Sequence, residues 1–99
     1  MDIELEEKKK LEIKKPSKYQ VILLNDDYTS VEFVVQILMG IFGKTPIDSQ
    51  LIAQKIHEKG RGVVGIYSFE IARTKLAMVE IDSRNHNYPL KATMEKIDD

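Results

Sequence analysis

LNDDYTSVEF, residues 24–33, is the segment in which an apolar strand leads through two acids directly into a helix. The residues before it, 19–24, are mostly apolar and β-prone, as in a buried strand. Within it, Thr29 and Glu32 have the Thr-x-x-Glu spacing of a capping box, which predicts a helix N-terminus at Thr29. A loop with one carboxamide and two carboxylates is therefore held between two regular elements, and polar groups fixed beside a core can bind a ligand.

The same loop also has a purely structural interpretation. Asn25-Asp26-Asp27 is an ordinary turn sequence, in which the side chains bond to their own backbone and the acids favour the N-terminus of the following helix. Local chemistry alone leaves a simple turn and a binding loop open.

The hydrophobic pattern predicts an α+β fold in a single small domain, with the order β-α-α-β-α-β. Strands are predicted at 18–24, at 63–67 and after Pro89, and helices at 30–42, at 46–59 and between Ser68 and Asn85. Thr45 before Pro46 and Ser68 before the third helix are favoured caps, and Gly60 is a favoured stop. The expected architecture is a three-stranded antiparallel sheet with three helices on one face.

Apolar spacing predicts which side of each helix faces inward. The inward residues are predicted to be Val31, Val34, Leu38, Ile41 and Phe42 in the first helix, Ile47, Leu51, Ile52 and Ile56 in the second, and Ile71, Ala72, Leu76 and Val79 in the third. Phe33 and Ile37 widen the apolar face of the first helix, which is therefore predicted to be mostly buried.

Composition restricts the classes of function. The chain has 99 residues, of which 42% are hydrophobic and 31% charged. Its net charge is −1, so there is no excess of positive charge to attract nucleic acid. It contains no cysteine, which excludes disulfides and thiolate sites and suits a reducing compartment. The N-terminus is charged, and no run reaches the roughly 20 apolar residues of a membrane span. These features predict a cytoplasmic protein with no membrane partner.

Residues 1–17 form a separate region in which acids and bases alternate up to Pro16-Ser17. An isolated helix of this length is marginal in water, so the region is predicted to be a mobile charged arm. The folded domain is then expected to span 18–97.

Several short motifs follow one another in a distinctive order along this domain. They are Asn25-Asp26-Asp27-Tyr28-Thr29, Glu32-Phe33-Val34, His57 with Gly60-Arg61-Gly62 after it, Gly65-Ile66-Tyr67, Glu70, Thr74-Lys75, and Pro89-Leu90 through Glu95-Lys96. In this order they resemble the ClpS family of protease adaptors over about residues 18–97. The resemblance implies a non-catalytic protein that binds substrates with a large hydrophobic N-terminal residue, Leu, Phe, Tyr or Trp, under the N-end rule. It also implies delivery to the N-terminal domain of a Clp AAA+ unfoldase of the ClpA or ClpC type, for degradation by ClpP.

By this resemblance, Asn25, Asp26 and His57 hold the free α-amino group of the substrate. The assignment is chemically sound, because a carboxamide oxygen, a carboxylate and a neutral imidazole nitrogen all accept hydrogen bonds from an ammonium group. A carboxylate about 4 Å from that group would contribute roughly 4 kcal/mol before desolvation at an effective dielectric near 20. No cofactor and no metal are implied.

The resemblance also implies an apolar pocket for the first side chain and a separate docking surface. The pocket residues are Asp27, Thr29, Val31, Val34, Ala53, Ile56 and Leu90, and the docking residues are Glu70 and Lys75, which by default form a solvated helix face. Val31 and Ala53 stand where the family typically has methionine, and Ser30 where it has proline. Smaller walls predict a roomier pocket that also accepts Ile or Val.

Two other functions compete with this interpretation. A metal-dependent hydrolase would use Asp26, Asp27, His57 and His86, but adjacent aspartates rarely point at one ion and the chain has no His-x-x-x-His pair. A ribosome-associated or nucleic-acid-binding domain would need a basic surface with aromatic residues, which the balanced charge does not supply.

Overall fold

The computed structural model describes residues 16–97, which include the whole of the predicted domain. Its elements are β1 (Lys18–Leu24), α1 (Val31–Gly40), α2 (Pro46–Lys59), β2 (Arg61–Ser68), α3 (Phe69–Asn85) and β3 (Lys91–Ile97). This order confirms the predicted α+β fold. The charged region predicted as an arm lies outside the described residues except for Pro16 and Ser17, and its mobility stays a prediction.

The sheet is antiparallel, with the strand order β2-β1-β3. β1 is the central strand because its apolar run Val21-Ile22-Leu23 is fully buried. Leu24, at the end of β1, pairs with Arg61 of β2 and with Lys91 of β3. The end of β1, the start of β2 and the start of β3 therefore meet at one edge of the molecule.

The helix boundaries follow the capping residues, with one correction. Thr45 and Ser68 cap α2 and α3 as predicted, and Gly60 ends α2 with φ = 88°, a conformation that favours glycine. The N-cap of α1 is Ser30 and not Thr29, because the Ser30 hydroxyl accepts the amide of Phe33 at 3.1 Å. The predicted Thr29–Glu32 capping box is therefore wrong by one residue.

The core lies between the helices and one face of the sheet, where Val21 and Leu23 of β1 pack with helix residues. The buried apolar helix residues are Phe33, Val34, Ile37, Leu38, Ala53, Ile56, Ala72 and Val79, and Ile41 and Phe42, directly after α1, are buried with them. The strand residue Val64 and the loop residue Leu90 belong to the same cluster.

Four residues predicted to face inward are exposed: Val31 (46%), Ile47 (72%), Leu51 (64%) and Ile71 (51%). In α2 the buried stripe is Ser49, Ala53 and Ile56, whose small members let the helix approach closely. In α3 the buried stripe is Ala72, Val79 and Ser83, and Ala72 is the residue after Ile71. Adjacent residues of a helix point in directions that differ by about 100°, so burying Ala72 turns the larger side chain of Ile71 outward.

None of the helices within residues 16–97 is long and apolar enough to cross a membrane. The cytoplasmic location stays a prediction.

Candidate functional site

The candidate site is the loop that follows β1. The backbone N–H of Asn25 donates to the carbonyl of Gly60 at 2.9 Å. Gly60 ends α2, and His57 lies in the last turn of that helix. This bond therefore fixes the start of the Asn25-Asp26-Asp27 loop beside the turn of helix that carries His57.

Asp26 organises the loop through three hydrogen bonds. Its Oδ1 accepts the backbone N–H of Tyr28 at 2.8 Å and that of Thr29 at 2.7 Å. Its Oδ2 accepts the Thr29 hydroxyl at 2.7 Å. Because Thr29 is used in this way, Ser30 caps α1 instead. An ionised carboxylate has about four acceptor positions, so Oδ2 retains one for a further donor.

The environment of Asp26 favours the charged carboxylate. Partial burial pushes its pKa up, but the hydrogen bonds from the Thr29 hydroxyl and from the amides of Tyr28 and Thr29 outweigh it, and the net pKa lies below the ordinary value. Since the folded pKa is depressed, Asp26 contributes stability above its unfolded pKa. That contribution is lost as the pH falls through the lowered folded pKa. A negative charge is therefore present at neutral pH.

The other predicted polar residues are accessible to solvent. The side chains of Asn25, Asp27 and His57 are exposed, whereas Asp26 and Thr29 are half-buried. An exposed carboxamide and an exposed imidazole thus lie on backbone segments joined by the Asn25–Gly60 bond. The loop and the last turn of α2 thus carry a carboxamide, a carboxylate and an imidazole, each of which can accept a hydrogen bond.

The five apolar residues predicted for the pocket fall into two groups. Val34, Ala53, Ile56 and Leu90 are at most 8% exposed and belong to one continuous core cluster. Val31 is accessible at the first position of α1, next to the loop. Four of these apolar residues are thus packed in the core, and Val31 is exposed.

Val31 also lines an open groove between α1 and α2. The groove is formed by Val31, Glu32, Val35, Gln36, Gln50 and Gln54. Apart from Val31, sequence reasoning singled out none of these residues for binding. The available signal was the one-turn spacing of Gln50 and Gln54 on a single helix, but uncharged polar residues on a helix surface are ordinary and point to no function by themselves.

The two predicted docking residues have different environments. Glu70 is exposed in the first turn of α3. Lys75 is half-buried, and its Nζ donates to the carbonyl of Ile41 at 2.6 Å and lies 5.7 Å from the ring centre of Tyr67. Ile41 is the C-cap of α1, where carbonyls lack helical partners. The interpretation of Lys75 as part of a solvated face is therefore wrong, because it stabilises the end of α1.

The arrangement gives a metal-dependent hydrolase no support. Across residues 16–97, no three His, Cys, Asp or Glu side chains gather where one ion could bind. His86 lies at the end of α3, where its Nδ1 is 2.9 Å from the Asp82 carbonyl and its ring packs 5.0 Å from that of Phe33.

Similarity to known proteins points to one family. Residues 14–93 match the family model described as "ATP-dependent Clp protease adaptor protein ClpS". The ClpS adapter protein of Acetivibrio thermocellus is 51% identical over 85 residues, which cover 86% of each chain. That of Maricaulis maris is 51% identical over 83 residues, 84% of this chain and 76% of the relative.

A solved structure is also similar, that of Agrobacterium tumefaciens ClpS2 bound to L-phenylalaninamide. The two chains have a TM-score of 0.81 and 32% sequence identity. The match covers 84% of this chain and all of the other. The similarity therefore extends over most of the fold.

Proposed function

Since this chain belongs to the ClpS family of ATP-dependent Clp protease adaptors, we propose that it binds proteins through a large hydrophobic N-terminal residue and delivers them to a Clp unfoldase. Relatives are named adapter proteins, which agrees with a binding role and not an enzymatic one. The observation that most supports the proposal is the Asp26 carboxylate, which is ionised and keeps a free acceptor position in a loop whose backbone is bonded to the end of α2 at Gly60.

The substrate's α-ammonium group is bound by Asn25, Asp26 and His57 in this proposal. An ammonium group has three donors, which match a carboxamide oxygen, the remaining position on Asp26 Oδ2 and a neutral imidazole nitrogen. The ligand named for Agrobacterium ClpS2, L-phenylalaninamide, has a free α-amine and a large apolar side chain. Leucinamide is therefore a suitable minimal probe, and its titration against this protein tests the proposal.

The first side chain of the substrate packs against Val34, Ala53, Ile56 and Leu90 and enters past the exposed Val31. Asp27 and Thr29 lie on the loop at the polar side of the pocket. Burying a Leu or Phe side chain there contributes about 1.5–3 kcal/mol. Leu, Phe, Tyr and Trp are the proposed first residues, and the small side chains of Val31 and Ala53 extend the range to Ile and Val.

Val31→Met is expected to reduce the acceptance of β-branched first residues. A longer side chain at the pocket mouth excludes Ile and Val more than Leu. The ratio of Ile to Leu affinity is expected to fall by about 1 kcal/mol, or fivefold. This value is near the low end of the usual effect of one methylene, because Val31 is half exposed. Fluorescence anisotropy with Ile- and Leu-initiated peptides measures it. An unchanged ratio would show that Val31 does not line the pocket mouth.

For unfoldase docking, we propose Glu70 on α3 as a contact to the N-terminal domain of a ClpA- or ClpC-type unfoldase. Lys75 lies five residues further along the helix, but its bond to Ile41 means that a change at Lys75 also disturbs the end of α1. Glu70 is the cleaner probe, since its side chain is exposed.

Glu70→Lys is expected to lower association with the unfoldase domain severalfold without changing leucinamide binding. Charges at an interface affect the rate at which the partners meet and the way in which they align, and Glu70 is a proposed contact of that interface. Glu80→Lys provides a matched reversal on the same helix, ten residues and about 15 Å away. Surface plasmon resonance with the immobilised domain measures both. Equal losses for the two variants would show that net charge, and not a contact at Glu70, controls docking.

A further inference from the structure

Two serine hydroxyls within residues 16–97 are buried without a hydrogen-bond partner, those of Ser49 and Ser83. Ser49 is fully buried on α2, and Ser83 is 2% exposed on α3. A buried polar group that is left unpaired destabilises a fold, and most such groups in proteins are paired. A hydroxyl that stays unpaired inside the protein is therefore available to a ligand.

Ser49 lies on the side of α2 that carries the proposed pocket. Each residue of a helix is turned about 100° from the one before, so Ala53 lies about 40° from Ser49 around the helix axis and Ile56 about 20° in the other direction. Ala53 and Ile56 are the α2 residues proposed to contact the first side chain of the substrate. Ser83 belongs to α3, which contributes none of the proposed pocket residues.

The small side chain of Ala53 leaves Ser49 uncovered on that side. Side chains of a helix lean toward its N-terminus, so a side chain at position 53 points over the preceding turn, which carries Ser49. A long side chain there would cover the Ser49 hydroxyl, whereas a single methyl group does not extend across a turn of about 5.4 Å. A substrate ring that packs against Ala53 therefore has Ser49 beyond its far end.

The distance from the amine site to Ser49 fits a tyrosine as first residue. Ser49 precedes His57, a proposed ligand of the ammonium group, by eight residues, or about 12 Å along the helix axis. The phenol oxygen of tyrosine lies roughly 7 Å from its own α-nitrogen by standard bond lengths. A hydrogen bond of about 2.8 Å at each end brings the total close to the separation on α2. Leucine and phenylalanine are shorter and have no polar atom at that end.

We propose that Ser49 is a specificity-determining residue, whose Oγ accepts a hydrogen bond from the phenol O–H of a substrate that begins with tyrosine. A hydroxyl oxygen has two acceptor positions and can accept whichever way its own proton points. This inference rests on the proposed function and deepens it. It adds a polar contact at the inner end of the pocket, which distinguishes tyrosine from phenylalanine.

The test compares L-tyrosinamide with L-phenylalaninamide, which differ only in the phenol hydroxyl. Each amide displaces a fluorescently labelled Leu-initiated peptide, and the affinity for the tyrosine amide divided by that for the phenylalanine amide is the Tyr/Phe ratio. Ser49→Ala is expected to lower this ratio by about 2- to 10-fold, the usual range for a neutral hydrogen bond, and to leave the affinity for phenylalaninamide unchanged. Ser83→Ala removes the other unpaired hydroxyl, away from α2, and should leave the ratio at its parent value.

Both variants are expected to fold, because alanine has the highest helix propensity and each hydroxyl that is removed has no partner. If the Tyr/Phe ratio is the same in Ser49→Ala and in the parent, or falls as far in Ser83→Ala, the proposal for Ser49 is overturned and the proposed function stands. An equal loss of both amides in Ser49→Ala also overturns it, because Ser49 would then act through packing alone. If neither amide binds the parent protein, the proposed function fails and the proposal for Ser49 fails with it.

Discussion

Replacing Asp26 with alanine should weaken binding of a Leu-initiated peptide by about 1.5–3 kcal/mol, or roughly 10- to 150-fold, the range for a hydrogen bond to a charged group. The variant loses the carboxylate that pairs with the ammonium group. It also loses the three hydrogen bonds that fix the Tyr28 and Thr29 backbone, so the loop that carries Asn25 is less ordered. Fluorescence anisotropy with a labelled peptide measures the change.

Thr29→Val separates the two contributions, because it removes the hydroxyl bond to Asp26 Oδ2 and keeps the carboxylate. It is expected to lose only about 0.5–1.5 kcal/mol. Asn25→Ala, which deletes another proposed acceptor, should fall in the range given for Asp26→Ala. If Asp26→Ala is folded by circular dichroism and binds the peptide as well as the parent does, the loop is only a turn.

Gly62→Ala should destabilise the fold by about 1–3 kcal/mol, the usual effect of overpacking a core. A Cβ at this position of β2 would lie 2.8 Å from Cγ1 of Ile56. Ile56 is 1% exposed and surrounded by core, so it has no space to move aside. For a domain of this size, each kcal/mol shifts the midpoint of thermal unfolding by about 4–8 °C.

Gly40→Ala is the matched control, because a Cβ at Gly40 meets no atom within 4 Å. This residue ends α1, and alanine has the higher helix propensity, so the expected effect is neutral or stabilising by up to about 1 kcal/mol. Thermal unfolding by circular dichroism compares the two variants. Equal midpoints for Gly62→Ala and the parent would show that Ile56 is not held as tightly as the packing indicates.

Since Ile56 is a proposed pocket residue, Gly62→Ala should also weaken leucinamide binding.

Local sequence signals predicted the parts of the fold that depend on neighbouring residues. β1 has the predicted bounds because its run of consecutive apolar side chains is buried on both faces when the strand lies in the centre of a sheet. Thr45, Gly60 and Ser68 were predicted correctly because capping depends on a few adjacent groups. The capping prediction failed at Thr29, where the competing acceptor Asp26 is also local but takes the hydroxyl away from the helix.

Other features depend on how the elements pack, which the sequence pattern does not show. The spacing of Ile47 and Leu51 predicted that both face the core, but in α2 the small residues Ser49 and Ala53 face the core instead. The bond from Lys75 to Ile41 joins residues 34 positions apart and required the observed packing of α3 against the end of α1. The groove likewise exists only because α1 and α2 lie side by side.

In the proposed amine site, sequence chemistry and the resemblance to ClpS together supplied the residues, and the structure added their environment. The bond between Asn25 and Gly60, the free position on Asp26 Oδ2 and the exposure of His57 all favour recognition of a cationic donor. The roles of Asn25, Asp26 and His57 remain proposals to be tested by binding.

The most direct measurement of the central proposal is the affinity of the parent protein for a Leu-initiated peptide and for its N-acetylated twin, determined by anisotropy at neutral pH. Acetylation removes the charge and two of the donors of the ammonium group and leaves the Leu side chain intact. The free peptide is expected to bind about 100-fold or more tightly than the acetylated one, since charged hydrogen bonds are lost, and Asp26→Ala is expected to reduce this ratio. Equal affinities of the parent for the two peptides would contradict recognition of a free N-terminus.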